Sequence, residues 1–246
     1  MTVPEFFGCA FLAFGPPAAM FILTIAQDPI LVIIMFGSAF YWYVSLLTSS
    51  LLWLAFCPIP MPETLKLVIS LMFSVVCQES FRFLLYKTLK KSQHELKRVT
   101  DENSQVSNRH ILAYTSGLGF GIMSGTFALV NILADSVGPA TMGLKMGDDN
   151  FFLVSATLTL SFILMHVFWS IIFSNAMHHG HRMEIAFVVI SHLIASLSTL
   201  FSLANLHLVG ILICYLIVIV TGSKAFISAG GSVRGLLRCL QCTNAH

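Results

Sequence analysis

Charged residues are scarce in this chain: 13 lysines and arginines and 11 aspartates and glutamates make up 10% of the 246 residues, whereas 57% are hydrophobic. A water-soluble domain carries about 25% charged residues, because they coat its surface. The composition therefore excludes an ordinary soluble domain and indicates an integral membrane protein. The net charge of +2 includes no basic stripe interleaved with aromatic residues, so no nucleic-acid partner is predicted.

The common motifs of enzymes are also missing. The chain has no H-E-x-x-H and no G-x-S-x-G sequence, and no two aspartates lie within apolar runs at matching depth, as an intramembrane aspartyl protease would need. Its six cysteines do not form the spaced framework of a secreted disulfide domain. Cys239 and Cys242 form a C-x-x-C pair that is a candidate for palmitoylation or redox chemistry, but two unrelated cysteines near the membrane are at least as good an interpretation. No catalytic residue, metal site or cofactor is predicted.

Long apolar runs are what the sequence has in abundance. A bilayer core of about 30 Å takes about 20 helical residues, and backbone polar groups cannot face lipid, so each such run must be a helix. Seven spans are predicted, at roughly 3–26, 30–56, 65–86, 110–134, 151–175, 183–204 and 208–229. The predicted fold is all-α, a single seven-helix transmembrane domain over 1–246 with a cytoplasmic loop at 87–109.

The basic residues outside the spans are strongly asymmetric. The side that holds the loop 87–109 and the C-terminal tail receives nine of them: Lys87, Lys90, Lys91, Lys97, Arg98, Arg109, Arg182, Arg234 and Arg238. The opposite side receives Lys145, with Lys66 near its edge. Because lysine and arginine are retained on the cytoplasmic side, this asymmetry predicts a lumenal or extracellular N-terminus and a cytoplasmic C-terminus.

A stripe of glycines follows the fourth span, in the sequence YTSGLGFGIMSGTF at 114–127. Gly117, Gly121 and Gly125 are spaced by four, so they share one helix face. Each glycine costs a helix about 1 kcal/mol relative to alanine, and the close approach of a second helix compensates for that cost. Packing within the chain is one interpretation. The doubled G-x-x-x-G pattern favours the other, in which a helix of a different subunit fills the groove.

Two histidines lie within spans, where ionisable groups are unfavourable and therefore informative. His166 in the fifth span and His192 in the sixth are each about nine residues from the same membrane edge, which places both about 14 Å deep. They lie on neighbouring antiparallel helices, so the sequence predicts that they face one polar pocket. A metal would need further ligands at that depth, and none is evident.

Four other polar residues interrupt the spans. Glu79 and Arg82 on the third span have the i, i+3 spacing of neighbours, and a mutually neutralised pair near the inner interface is the favoured interpretation, with a clasp on another helix as the alternative. Asn131 on the fourth span is placed to bond across helices, and Lys224 on the seventh lies close enough to the inner edge to snorkel.

Six ordered blocks of sequence resemble one known family, the anterior-pharynx-defective (Aph) subunits of gamma-secretase. The blocks are FFGCAFLAFGP at 6–16, QESFRFLLYKTLKK at 78–91, YTSGLGFGIMSG at 114–125, NILADSVGP at 131–139, LMHVFWS at 164–170 and AFISAGGSVR at 225–234. The similarity extends over nearly the whole chain, and such a series of blocks is far more specific than any one of them. The loop 92–108, the ATMGLKMGDDN segment, the HHGH turn and the short tail differ from the family's familiar forms.

The resemblance implies a seven-span scaffold in a multi-pass membrane complex that follows the endoplasmic reticulum, Golgi, plasma membrane and endosomal route. Its implied partners are presenilin, which carries the two catalytic aspartates, nicastrin and the presenilin enhancer subunit. The implied substrates are membrane stubs such as those of Notch and the amyloid precursor. The family's glycine stripe and its two membrane histidines match Gly117, Gly121, Gly125, His166 and His192 here.

The sequence as a whole thus predicts a non-catalytic subunit that assembles and stabilises an intramembrane protease. Two rivals remain open at this point. One is a seven-span receptor, although the D-R-Y and N-P-x-x-Y patterns of that class are missing. The other is a proton-coupled transporter that uses His166 and His192.

Overall fold

Seven long helices make up the computed structural model, which describes residues 3–99, 108–137, 151–204, 206–232 and 235. The helices are α1 (Val3–Thr24), α2 (Pro29–Phe56), α3 (Glu63–Val99), α4 (Arg109–Val137), α5 (Phe151–His179), α6 (Arg182–Ser198) and α7 (His207–Ser228), and a short 3₁₀ helix (Thr199–Ala204) follows α6. All seven are long and apolar enough to cross a membrane, which confirms the prediction of an all-α, seven-span protein.

Local sequence explains several helix ends. Asp28 caps α2, because its carboxylate accepts a hydrogen bond from the Ile30 amide at 2.9 Å, and Pro29 takes the first helical position, where no amide hydrogen is needed. Helix α5 ends at His179 and is followed by Gly180, whose φ of 74° suits glycine, and the next amide, of His181, donates back to the Ala176 carbonyl at 2.9 Å. Short connections of this kind hold neighbouring helices antiparallel.

The third and sixth spans differ from their predicted forms. Helix α3 continues to Val99, so 87–99, expected to belong to a loop, is helical. The apolar run ends near residue 86, but the lysine, leucine, glutamine and glutamate that follow are good helix formers in water. The sixth span is α-helical only to Ser198 and then tightens into the 3₁₀ helix.

Helices α4 and α5 form the centre of the bundle. Helix α4 packs on α1, α2 and α5, and α5 also contacts α1, α6 and α7. Helix α3 lies at the side, against α2 and α6. Apolar side chains of α2, α4 and α5, among them Leu31, Leu118 and Ile163, form one buried cluster. A second, around Trp169, joins α5 to α6 and α7.

Candidate functional site

The glycine stripe of α4 lies directly against α5 of the same chain. A β-carbon added at Gly117 would lie 2.8 Å from the Val167 Cα, and one added at Gly121 would lie 2.7 Å from the Ile163 carbonyl oxygen. At Gly125 it would meet the Ile163 side chain at 2.6 Å. At Gly117 and Gly121 the neighbouring atoms belong to the α5 backbone, so glycine is what allows the two backbones to touch, whereas at Gly125 the contact is with a side chain that can shift.

This arrangement corrects the prediction that a helix of another subunit fills the stripe. The groove formed by Gly117, Gly121 and Gly125 is occupied by α5, so the inter-subunit interpretation is wrong and packing within the chain is right. Spacing reports how closely a partner helix approaches, but it carries no information about the chain to which that partner belongs.

A further glycine, which sequence reasoning missed, extends the close packing to a second side of α4. A β-carbon at Gly119 would overlap the Met35 carbonyl and the Ser38 hydroxyl of α2. Gly119 follows Gly117 by two residues, about 200° around the helix, so the GLGFG sequence did contain this signal. Helix α4 is therefore held between two backbones.

A buried polar network joins α3, α5 and α6 beside that helix pair. The His192 Nδ1 of α6 lies 2.7 Å from Glu79 Oε1, and Arg82 Nε donates to the two oxygens of Glu79 at 3.3 and 3.1 Å. Arg82 also reaches His166 of α5, with its Nη2 3.0 Å from the ring Nδ1. The four side chains are 1–8% exposed, so they form one connected unit that is almost fully buried.

The chemistry of the groups fixes the direction of these bonds. Arginine carries only donors, so His166 Nδ1 accepts from Arg82, and His166 is neutral with its proton on Nε2. The Glu79 carboxylate bonded by Arg82 is an acceptor, so His192 donates to it from Nδ1. The two histidines thus face opposite ends of one ion pair, and their rings lie 5.3 Å apart.

The prediction that His166 and His192 share one polar environment agrees with this geometry, although Arg82 and Glu79, not a direct bond, link them. For Glu79 and Arg82 the favoured interpretation, a self-contained pair near the interface, is incomplete: the pair exists at 3.1 Å, but it also clasps α5 and α6. Sequence spacing shows neighbours on one helix only, whereas the clasp depends on how α3 is rotated against helices more than 80 residues away.

Neighbouring side chains hold the network in place. Arg82 Nη1 donates to the Ser170 hydroxyl at 2.6 Å and to the His166 carbonyl at 3.3 Å, and its guanidinium lies 4.9 Å from the centre of the Phe120 ring. The Trp169 ring stacks on His192 at 4.4 Å between centroids. Sequence reasoning singled out none of Ser170, Phe120 and Trp169. A buried arginine requires several acceptors, and in the LMHVFWS block His166 and Ser170 supply them.

The other predicted polar residues lie apart from the network. The Lys224 ammonium of α7 sits 4.3 Å from the centre of the Phe187 ring of α6, a cation–π contact that keeps the charge close to a neighbouring helix. The side chain of Asn131 lies outside the described residues, as do Cys239 and Cys242. Within the described part of the chain, no group of three or more histidine, cysteine, aspartate or glutamate side chains is arranged to hold a metal ion.

The glycine contacts and the polar network are two different kinds of interaction that hold the helices together. The glycines bring α4 against α2 and α5 by van der Waals packing, which drives helix association in lipid. The network ties α3 to α5 and α6 with charge-assisted hydrogen bonds, which are stronger in a buried site than in water.

Comparison with known proteins finds relatives that match nearly the whole sequence. The family model for "Aph-1 protein" matches residues 4–232. The chain is 50% identical over 242 residues to the gamma-secretase subunit Aph-1 of Drosophila melanogaster, covering 98% of this chain and 100% of that protein. It is 43% identical to the gamma-secretase subunit Aph-1b of Danio rerio, covering 98% and 95% of the two chains, and 43% identical to the human gamma-secretase subunit APH-1B, covering 100% and 96%.

Proposed function

The chain belongs to the Aph-1 family, and from that premise we propose that it is a non-catalytic scaffold subunit of the gamma-secretase intramembrane protease. The observation that carries this proposal is the similarity to curated gamma-secretase subunits, which reaches 50% identity and runs through 98% of the chain. Because these relatives are matched over 95% or more of their own length, nearly the whole sequence and not one shared segment supports the assignment.

The buried geometry is consistent with a scaffold. The polar groups that a reaction would need, Glu79, His166 and His192, are occupied by one another and by Arg82 across three helices. Groups that bond in this way fix the relative positions of helices. A scaffold needs such rigidity, because a partner helix can dock only onto a surface that does not rearrange.

The proposed partners are presenilin, which would supply the catalytic aspartates, nicastrin and the presenilin enhancer subunit. Through them the chain would support cleavage of membrane stubs such as those of Notch and the amyloid precursor. The proposed location is the membrane system from the endoplasmic reticulum through the Golgi to the plasma membrane and endosomes. Seven apolar helices support the multi-pass part of this proposal.

The proposed orientation has the N-terminus in the lumen and the C-terminus in the cytoplasm, on the strength of the basic residues at one end of the bundle. Glycosylation acceptors introduced before Pro4 or into 140–148 should be modified in microsomes, whereas an acceptor placed in 100–107 should not. Modification at 100–107 would reverse the assignment.

The receptor and transporter alternatives are not favoured. Both would leave the full-length similarity to gamma-secretase subunits unexplained. A transporter would in addition use His166 and His192 to exchange protons with water, yet these residues are 1% and 2% exposed and are bonded within the network.

The proposal is tested by affinity purification of the tagged full chain in mild detergent from cells that lack their own Aph-1 protein. We expect presenilin, nicastrin and the presenilin enhancer subunit to copurify in a fixed ratio and cleavage activity to be restored. A folded chain recovered without these partners would refute the scaffold role.

The role of the histidines is tested in the same system by measuring assembled complex and cleavage rate separately in His166→Ala and His192→Ala. A scaffold role predicts that both quantities fall together, because loss of either histidine loosens the helix packing. Normal assembly with abolished cleavage would instead place these residues in catalysis.

A further inference from the structure

A second polar feature lies at the end of the bundle where α3 and α5 approach their C-termini and α4 begins. It is a cavity of about 280 Å³ between these three helices. Arg82, Ser116 and Ser170 line its inner part, and Lys90, Arg109 and His178 line the part nearer the helix ends. We call this feature the basic cavity. By the proposed orientation it opens toward the cytoplasmic membrane surface.

Every charged side chain among the described lining residues of the basic cavity is basic. Arg82 is balanced by Glu79. Within the described residues Arg109 bonds no carboxylate: it donates to the His110 ring at 3.3 Å, the Asn175 amide oxygen at 3.4 Å and the His179 ring at 3.2 Å. Arg109 is also the first residue of α4, and a helix N-terminus carries a partial positive charge of its own.

The position and walls of the cavity restrict what can enter it. Lys90, Arg109 and His178 lie just beyond the ends of the apolar spans predicted for α3, α4 and α5, which places the cavity at the expected level of the phospholipid headgroups, the most concentrated anions of a membrane. Its sides include the apolar residues Leu85, Leu89, Leu112 and Phe173, next to serine hydroxyls and basic groups. A volume near the lower limit of small-molecule sites, about 300 Å³, suits a headgroup better than a whole lipid.

We propose that the basic cavity binds the phosphate-bearing headgroup of an anionic membrane phospholipid. Lys90 and Arg109 contact the phosphate oxygens. The rest of the lipid stays outside the cavity, and the apolar walls contact only the part of its glycerol and acyl portion that is nearest the phosphate. Arginine suits this position because its planar fork bonds phosphate oxygens in pairs. A lipid held between α3, α4 and α5 would link the membrane surface to the same three helices that the glycine stripe and the network hold together.

The test uses the full chain in phosphatidylcholine nanodiscs and titrates a fluorescent phosphatidylinositol phosphate, with fluorescent phosphatidylcholine as the reference lipid. We expect the wild-type chain to prefer the anionic lipid and the Lys90→Gln/Arg109→Gln double variant to bind it about tenfold more weakly, because two charge-assisted contacts are lost. The matched control is Lys87→Gln: Lys87 lies one turn before Lys90, with its ammonium 4.4 Å from the Phe83 ring, and it does not line the cavity.

Several results would overturn the proposal. Unchanged binding by the double variant would remove the cavity from lipid recognition, and an equal loss in Lys87→Gln would show attraction to a general basic surface. Competition distinguishes the source of the phosphate: displacement of the lipid by equimolar inorganic phosphate would mean that the site takes a free anion. The Lys90→Arg variant, which keeps the charge and leaves Arg109 in place, should bind at least as tightly as the wild type, and helicity measured by circular dichroism confirms that each variant is folded.

Discussion

Helices α4 and α7 show how differently two spans of one bundle are used. Of the seven described spans, α4 is the least apolar, yet 56% of its most apolar stretch is buried inside the protein. Helix α7 is the most apolar, and only 22% of the corresponding stretch is buried. In a water-soluble protein the order would be reversed, since apolar residues there face inward.

The difference follows from what surrounds the protein. Lipid tails are as apolar as leucine, so a leucine gains little by facing inward, whereas a small residue that lets two backbones touch gains van der Waals contact. Helix α4 accordingly presents Gly117, Gly119 and Gly121 to its neighbours. Helix α7 presents large side chains such as Leu208 and Leu212, 75% and 70% exposed, to the outside.

The largest expected effect comes from filling the α4 contact. Gly121→Leu would drive a side chain into the Ile163 backbone, which cannot move without shifting α5, so we expect no monodisperse chain to be recovered after detergent purification. Gly37→Leu on α2 is the matched control, because a β-carbon there meets nothing within 4 Å. Size-exclusion profiles measure both. Equal recovery of the two variants would mean that the α4–α5 contact is not as close as described.

Much of the α4–α7 contrast was accessible from sequence. Apolar length reports the thickness of the bilayer, so all seven spans could be predicted, and glycine spacing reports close approach, so the face of α4 could be predicted. The identity of its partner, α5, could not, because no property of Gly117 or Gly121 depends on which chain lies opposite.

The polar network was predicted in pieces. The equal depth of His166 and His192 predicted that they share a pocket, and the i, i+3 spacing predicted that Glu79 pairs with Arg82. No feature of the sequence predicted that these two pairs are connected. That connection depends on the rotation of α3 about its own axis. Residue spacing relates side chains within one helix, so it does not determine how α3 is rotated toward α5 and α6. The depth of Glu79 and Arg82 in the membrane was the unused signal, since a buried charged pair requires further partners.

The second-largest effect should come from breaking the buried ion pair. Arg82→Met keeps an apolar stem but leaves the Glu79 carboxylate buried without its cation, which typically costs about 3–5 kcal/mol. Lys66→Met breaks a pair of the same i, i+3 spacing on the same helix, Glu63–Lys66 at 3.3 Å, in which Glu63 is 91% exposed, so it should change little. For both variants the measurement is the temperature at which half of the protein no longer elutes in the monodisperse size-exclusion peak.

A double variant strengthens that comparison. Glu79→Gln combined with Arg82→Met removes the stranded charge, so part of the lost heat resistance should return relative to Arg82→Met alone. If the double variant is as unstable as the sum of the two single variants, the two residues do not act as a pair.

An intermediate effect is expected when a leucine is replaced by alanine, and its size should differ between α4 and α7. Leu118 of α4 is fully buried beside Ile163 and Val167, so Leu118→Ala should leave a cavity and lower the free energy of unfolding by about 2–5 kcal/mol. Leu212→Ala on α7 exchanges one lipid-facing side chain for a smaller one and should remain within about 0.5 kcal/mol of the wild type. Similar losses in both variants would contradict the view that burial, not hydropathy, separates the two helices.

The smallest expected effect tests a single hydrogen bond of the network. His192→Leu removes the donor to Glu79 and should lower heat resistance by the equivalent of about 1.5–3 kcal/mol, the usual value of a hydrogen bond to a charged group. His192→Asn places an amide N–H close to the position of the imidazole Nδ1, so it should retain much of that bond, whereas His192→Gln extends the amide toward the position of Nε2 and should retain less. The expected order of thermal midpoints is therefore wild type, Asn, Gln and Leu. If Leu matched or exceeded Asn, packing against Trp169, whose ring lies 4.4 Å from that of His192, would be the main contribution of this residue and the bond to Glu79 a minor one.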